Sequence, residues 1–363
     1  MTMLYNYYGM AGNVKKKNGF KMWLTIITAG LLIVTIYFAW PEIIEAWGLM
    51  GKVNIWIFLL LIPVQILSYY AIGGLIFSYL EAKKKIPGLT RWRLTRISLE
   101  LNFVNHIIPS GGVVGFTYLS WILKDFGVSA GRATMSQIIR FLLTFVSFVV
   151  LMLFALIWMV FDHQVSRQLV IMCAILAFAT LMVIALFVWA LGSREHLNKF
   201  TGWFVRAGNL LVKIFTFGRK KNIVKRALID DFFDDIYNDY QNIRREKKIL
   251  WKPFIWAITA QMADVALYVV AFWALGYFVN PAVLLLGMGL SSLGAVFSVT
   301  PAGAGVVEAL MVGFLVSTGT PLDVAFAGTL LARVTLVAGT IIFGYFFYQS
   351  TVAKHGNNTP VQR

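Results

Sequence analysis

Two arginines stand alone inside apolar runs, and each follows a Gly/Pro-broken segment at almost the same distance. Ile108-Pro109-Ser110-Gly111-Gly112-Val113-Val114-Gly115 is followed by Arg140, 31 residues after Pro109. Thr300-Pro301-Ala302-Gly303-Ala304-Gly305-Val306-Val307-Glu308 is followed by Arg333, 32 residues after Pro301. Guanidinium grips phosphate as a bidentate fork. A helix starting just after such a break leaves its first N–H groups and its positive dipole end open to an anion. The chemistry on offer is therefore anion binding by Arg140 and Arg333, with Gly111, Gly112, Gly303, Gly305 and Asn105 as tip ligands and Pro109 and Pro301 turning the chain. Glu308 and Asp264 balance the charge. A second use of the same residues stands beside the first: the arginines pair with Asp264 and Glu308 and lock the protein together. Glu308 could also carry a proton. There is no nucleophile–base pair, zinc signature or P-loop, so no catalytic residue, metal or cofactor is expected, and the chain reads as a non-enzyme.

The surroundings of these residues say where the anion sits. The chain has 363 residues, 59% hydrophobic and 13% charged, with a mean hydropathy of +0.75. Soluble proteins average about 25% charged residues, so this is a polytopic membrane protein, all-α, forming one transmembrane domain over 1–363. The single cysteine, Cys173, excludes an internal disulfide. Net charge is +16, but 28 of the 32 Lys and Arg fall in 1–21, 81–96, 124–132, 193–252 and beyond 350. That distribution follows topology and gives no reason to expect nucleic acid. By the positive-inside rule these stretches are cytoplasmic, which puts both termini inside a plasma-membrane protein.

Six apolar stretches are long enough to span: 22–40, 53–80, 133–161, 168–192, 252–279 and 322–350. Two more, 98–121 and 282–318, are broken by the Gly/Pro segments. Basic residues flank 98–121 on both sides, and 282–318 has almost no flanking charge. Each is expected to dip in and return as a re-entrant helical hairpin, one from each face. The two units, 53–161 and 252–350, then form an inverted repeat, with Gln65 and Gln261 at similar points of their leading spans. Duplicated, broken segments of this kind point to a substrate site at the midplane. Asn102 and His106 precede the first tip, and His106 reads as a hydrogen-bonded structural residue. Gln65, Ser68, Gln137 and Gln261 suit interhelical hydrogen bonds.

Residues 193–251 form a polar, amphipathic insert expected on the cytoplasmic side. Asp230, Asp231, Asp234, Asp235 and Asp239 alternate with Phe232, Phe233, Ile236 and Tyr240 at helical spacing, which predicts a helix with a solvated acidic face.

Pro301-Ala302-Gly303-Ala304-Gly305-Val306-Val307-Glu308 resembles the Pro-x-Gly-x-Gly-Val-x-Glu of the transmembrane flippase domain of lysylphosphatidylglycerol synthases. Asn105 with Pro109-Ser110-Gly111-Gly112 is similar to that family's Asn-x-x-x-Pro-small-Gly-Gly, and Arg140 and Arg333 match arginines of the helices that follow. The resemblance covers about 20–350. After the first glycines the family often carries an acid and a base, whereas Gly115-Phe116-Thr117-Tyr118 has neither. The resemblance implies movement of a lipid between leaflets as a flippase or scramblase: an anionic or aminoacylated phospholipid, or a polyprenyl-phosphate glycolipid. With Arg363 as the last residue, no soluble transferase domain follows, so the expectation is transport of the lipid, not its synthesis. The alternative is a membrane partner of a separate lipid-modifying transferase, with the insert as docking surface. Homodimerisation is left open.

Overall fold

The structure, a computed structural model, describes residues 53–83, 85, 86, 88–107, 113–161, 167–195, 226–297 and 303–355, with Gly30, Tyr37, Trp40, Ile44, Gly48 and Gly51 before them. Among the described residues ten helices of twelve residues or more follow in order: α1 Leu61–Ala82, α2 Arg91–Ile107, α3 Val113–Lys124, α4 Ala130–Phe161, α5 Arg167–Gly192, α6 Arg226–Arg245, α7 Trp251–Ala274, α8 Pro281–Phe297, α9 Val306–Ser317 and α10 Leu322–His355, with the short helix Ile55–Phe58 before α1. No strand occurs among the described residues. Apolar runs free of interior turn signals can satisfy their backbone only within themselves, and helix is the way one segment does so in lipid.

Four of the expected spans are helices long and apolar enough to cross a membrane: Ile55–Ala82, Ala130–Met159, Lys247–Ala274 and Leu322–Lys354. The expected span 168–192 is helical as α5, with Cys173–Leu186 as its described apolar stretch. The expected first span, 22–40, lies outside the described residues except at Gly30, Tyr37 and Trp40. Lipid-facing side chains such as Phe154, Phe178 and Phe346 stand well exposed on the bundle surface.

The helix lengths repeat. α1 to α4 have 22, 17, 12 and 32 residues; α7 to α10 have 24, 17, 12 and 34. Packing repeats as well. α1 lies along α7, α2 packs on α3 and on α10, and α8 packs on α9 and on α4.

Ion pairs gather one set of helix ends into a basic end of the bundle. Glu81 at the end of α1 meets Arg91 of α2 at 2.8 Å and Lys252 of α7 at 3.7 Å. At the opposite end, the Asn54 N–H donates to the Ala274 carbonyl at 2.7 Å. Two apolar clusters fill the halves. One, at the basic end, includes Phe77, Leu80, Leu101, Phe103, Leu119, Ile139 and Tyr348. The other includes Leu61, Met152, Phe272, Leu284, Met311, Leu315 and Leu331. α2–α3 belong to the first and α8–α9 to the second.

On the acidic helix α6, Asp234 lies exposed as expected and Asp239 departs from the expected solvated face. The helix packs on α4 and α5, through Arg132–Asp239 at 3.3 Å and Arg194–Asp234 at 3.3 Å. Asp239 is buried beside Tyr79. Its approach is close because Gly131 has no side chain where the Asp235 methylene and the Phe232 carbonyl press in.

Candidate functional site

The long helices pass through both apolar clusters, and their polar residues fall where one cluster gives way to the other. On α1, Leu61 belongs to the far cluster and Leu75 to the basic-end cluster, and Gln65, Ser68 and Tyr69 lie between. On α7, Asp264 lies between Ala257 and Leu267; on α10, Arg333 and Thr340 lie between Ala332 and Tyr348. A polar layer thus crosses the middle of the bundle, where each group needs a partner from a neighbouring helix.

Arg333 has such a partner. Its Nε donates to Glu308 Oε1 at 2.7 Å. The other Glu308 oxygen accepts from the Gly305 N–H at 2.7 Å. Glu308 is the third residue of α9, so its carboxylate reaches back over the helix start as in half of a capping box. Gly303 and Gly305 supply the turn, with φ of 72° and 83°, a region that L-residues with a side chain enter at a cost. This helix end, expected to be open to an external anion, is occupied by the protein's own carboxylate.

Arg140 is different. Its Nη1 donates to Gln137 Oε1 at 3.3 Å, one turn back on α4, and its Cζ lies 5.2 Å from the Phe141 ring centroid. No carboxylate pairs with it or bears on it among the described residues. The pairing of Arg140 with Asp264 is absent; Asp264 Oδ1 instead accepts from Ser68 Oγ at 2.6 Å.

His106, at the end of α2, lies within electrostatic reach of both Arg333 and Arg140. Its Nδ1 is 2.8 Å from the Asn102 carbonyl, an acceptor, so Nδ1 carries a proton. Asn105, the preceding residue, lies against Gly115 of α3. Its Oδ1 is buried with no hydrogen-bond partner among the described residues, as is Gln137 Nε2. Tyr268 of α7 lies within electrostatic reach of Arg333, Glu308 and Asp264. Gln65 Nε2 donates to the Leu336 carbonyl at 3.1 Å and to Tyr69 Oη at 2.8 Å, and Tyr69 Oη lies 2.7 Å from Thr340 Oγ1. Gln65 and Ser68 are thus the interhelical links expected of them. Pro109, Gly111, Gly112 and Pro301 lie outside the described residues.

One buried acid had no place in the reading of the sequence. Glu100 of α2 is fully buried. It accepts from Arg96 Nε at 3.1 Å, Thr351 Oγ1 at 2.8 Å and Tyr118 Oη at 2.8 Å. The signal was present as Arg96 and Glu100 at i and i+4, a spacing that brings side chains together on a helix.

Among the described residues no cluster of three or more His, Cys, Asp or Glu could hold a metal ion. Among the described residues the layer thus holds a partly buried guanidinium, Arg140, with no carboxylate partner, a second guanidinium on a carboxylate, and the unfilled Asn105 Oδ1 and Gln137 Nε2.

A family model described as the lysylphosphatidylglycerol synthase TM region matches residues 26–344. No curated protein and no solved structure matches the chain.

Proposed function

The chain belongs to the family of the lysylphosphatidylglycerol synthase transmembrane region, and from that premise we propose that it moves a phosphate-bearing lipid between the leaflets of a membrane. Arg140 carries this reading. A guanidinium in the interior of a membrane protein costs about 2.5–3.5 kcal/mol on insertion scales. Such a group is retained where something pays that cost, and no carboxylate among the described residues does. A lipid phosphate arriving at Arg140 supplies the missing charge and two oxygens in the geometry the fork accepts.

The matched helix lengths support a moving part. At 1.5 Å per residue, 17 residues span about 26 Å and 12 residues about 18 Å, both short of a hydrocarbon core of about 30 Å. We infer that α2–α3 and α8–α9 are re-entrant pairs that enter from opposite ends, as an inverted repeat requires. Alternating exposure follows from one repeat rocking against the other about the polar layer. The Arg333–Glu308 pair serves as the exchangeable contact. When phosphate reaches Arg333, Glu308 keeps the Gly305 N–H and α9 stays capped. The Lys- and Arg-rich end faces the cytoplasm.

The tails have their own surface. An open apolar groove of about 1110 Å³, lined by Leu151, Phe154, Trp158, Met262, Val269 and Phe278 among others, lies between the far ends of α4 and α7. Acyl chains can stay against such a groove while the headgroup crosses inside.

The test is leaflet exchange of a labelled anionic phospholipid in vesicles holding the purified protein. Arg140→Ala is expected to abolish exchange and Arg140→Lys to retain part of it. Exchange by Arg140→Ala at the original rate rejects the proposal.

A further inference from the structure

A pocket of about 320 Å³ opens at the basic end of the bundle between α2, α3 and the last turns of α10. Its floor is the Glu100 network. Both Glu100 oxygens are engaged. Arg96 is held there too: Nη2 donates to the Phe347 carbonyl at 3.3 Å and to Thr351 Oγ1 at 3.4 Å, with Cζ 4.8 Å from the Phe347 ring centroid. The floor is thus satisfied within itself, and the Glu100 charge is answered by Arg96.

Two further cations line the pocket and have no such answer. Arg93 and Lys354 make no ion pair among the described residues. Arg93 is not loose, since its Cζ sits 5.1 Å from the Phe126 ring centroid. The remaining walls are apolar: Trp92, Ile97, Ile122 and Phe126, with the Trp92 side chain 65% exposed as indole at a membrane interface is.

Excess positive charge over an apolar rim, at the ends of membrane helices, suits a ligand that is anionic at one end and greasy at the other. We propose that this pocket binds the phosphodiester headgroup of an anionic phospholipid from the leaflet at the basic end, with Arg93 and Lys354 on the phosphate and the glycerol and acyl carbons against Trp92, Ile122 and Phe126. A soluble acidic peptide would leave that rim in contact with water or lipid, uncovered. The site is separate from the polar layer. Arg96 lies ten residues before His106 on one continuous helix, about 15 Å along its axis. Its occupancy does not depend on whether the protein translocates lipid.

The test uses the full chain in phosphatidylcholine nanodiscs into which phosphatidylglycerol is titrated. Binding is read from the intrinsic tryptophan fluorescence and from lipid retained in native mass spectra. The double variant R93Q/K354Q is expected to weaken phosphatidylglycerol retention about thirtyfold, at about tenfold per 1.4 kcal/mol and about 1 kcal/mol per basic residue. R93K/K354R is expected to restore it, and added salt to weaken it in the original protein but not in R93Q/K354Q. Made in an Arg140→Ala background, which removes the polar layer's own hold on a phosphate, the same comparison with and without R93Q/K354Q is expected to show the same ratio. Equal retention by the original protein and R93Q/K354Q overturns the proposal. So does displacement of the lipid by millimolar inorganic phosphate, which would make the site one for a free anion.

Discussion

Glu308 binds Arg333 through one oxygen and the Gly305 N–H through the other, both at 2.7 Å. One carboxylate thus closes the start of α9 and ties it to α10. The side chains of the pair are only 11% and 12% exposed, so removing either partner leaves a poorly solvated group behind. Glu308 without Arg333 still holds the Gly305 N–H.

Glu308→Ala is expected to cost more stability than Arg333→Ala. The first breaks the pair and opens the α9 start together, and breaking a buried pair costs about 3–5 kcal/mol. The second leaves Glu308 still holding the Gly305 N–H. Thermal unfolding in detergent, read for both single variants and the double, checks this. The double should lose less than the sum of the singles, since the residues interact directly; strict additivity would show that the contact carries no energy.

Gly305→Ala tests the turn itself. With φ at 83°, a side chain there costs about 1–2 kcal/mol, although open space surrounds the position. Gly313, also on α9 and also facing open space, is the control: inside a helix, Gly→Ala is expected to stabilise by about 0.4–1 kcal/mol. A matching pair of unfolding curves for the two variants would remove backbone conformation as the reason for Gly305.

The spanning helices and the recurrence of broken segments were legible because hydropathy and Gly/Pro placement act locally. The partners of the charges were not. Arg140 and Arg333 look alike in sequence, at 31 and 32 residues from their prolines, yet among the described residues only Arg333 meets a carboxylate. That difference depends on Glu308 standing at the third position of α9, and on Asp264 being taken by Ser68 from a helix 196 residues away. Glu100 was overlooked because Arg93 and Arg96 make its neighbourhood resemble a solvated flank, while its real surroundings come from Tyr118 and Thr351. Asp239 was expected on a solvated face for the same reason: its partner Arg132 lies far from it along the chain.

Asp239 gives a pH dependence. Burial pushes its carboxyl up, against the pull of the nearby Arg132 guanidinium. A carboxyl whose folded value is raised binds its proton more readily in the folded state. Its contribution is therefore full below the unfolded value of about 3.9 and is lost as pH rises through the folded value. Stability should fall over that rise, and Asp239→Asn should flatten the fall and match or exceed the original protein at pH 8. Arg132→Gln should steepen it by leaving the buried carboxylate alone. Unfolding midpoints between pH 4 and 8 decide; an unchanged slope in Asp239→Asn would assign the dependence to another group.

Asn105 and Gly115 separate packing from function at the first tip. A methyl built on Gly115 overlaps the Asn105 carboxamide, so Gly115→Ala must push Asn105 aside or spread α2 from α3. A misfit of this kind costs about 1–3 kcal/mol. Asn105→Ala alone removes a carboxamide whose buried Oδ1 has no hydrogen-bond partner among the described residues, so it should cost little stability. Combined with Gly115→Ala it should relieve the overlap and return most of the lost unfolding temperature. Leaflet exchange should not return with it, because a buried acceptor left unfilled beside His106 has its use when a headgroup donor arrives. If the double variant recovers exchange together with stability, Asn105 is a spacer between α2 and α3, and the headgroup is read by the arginines alone.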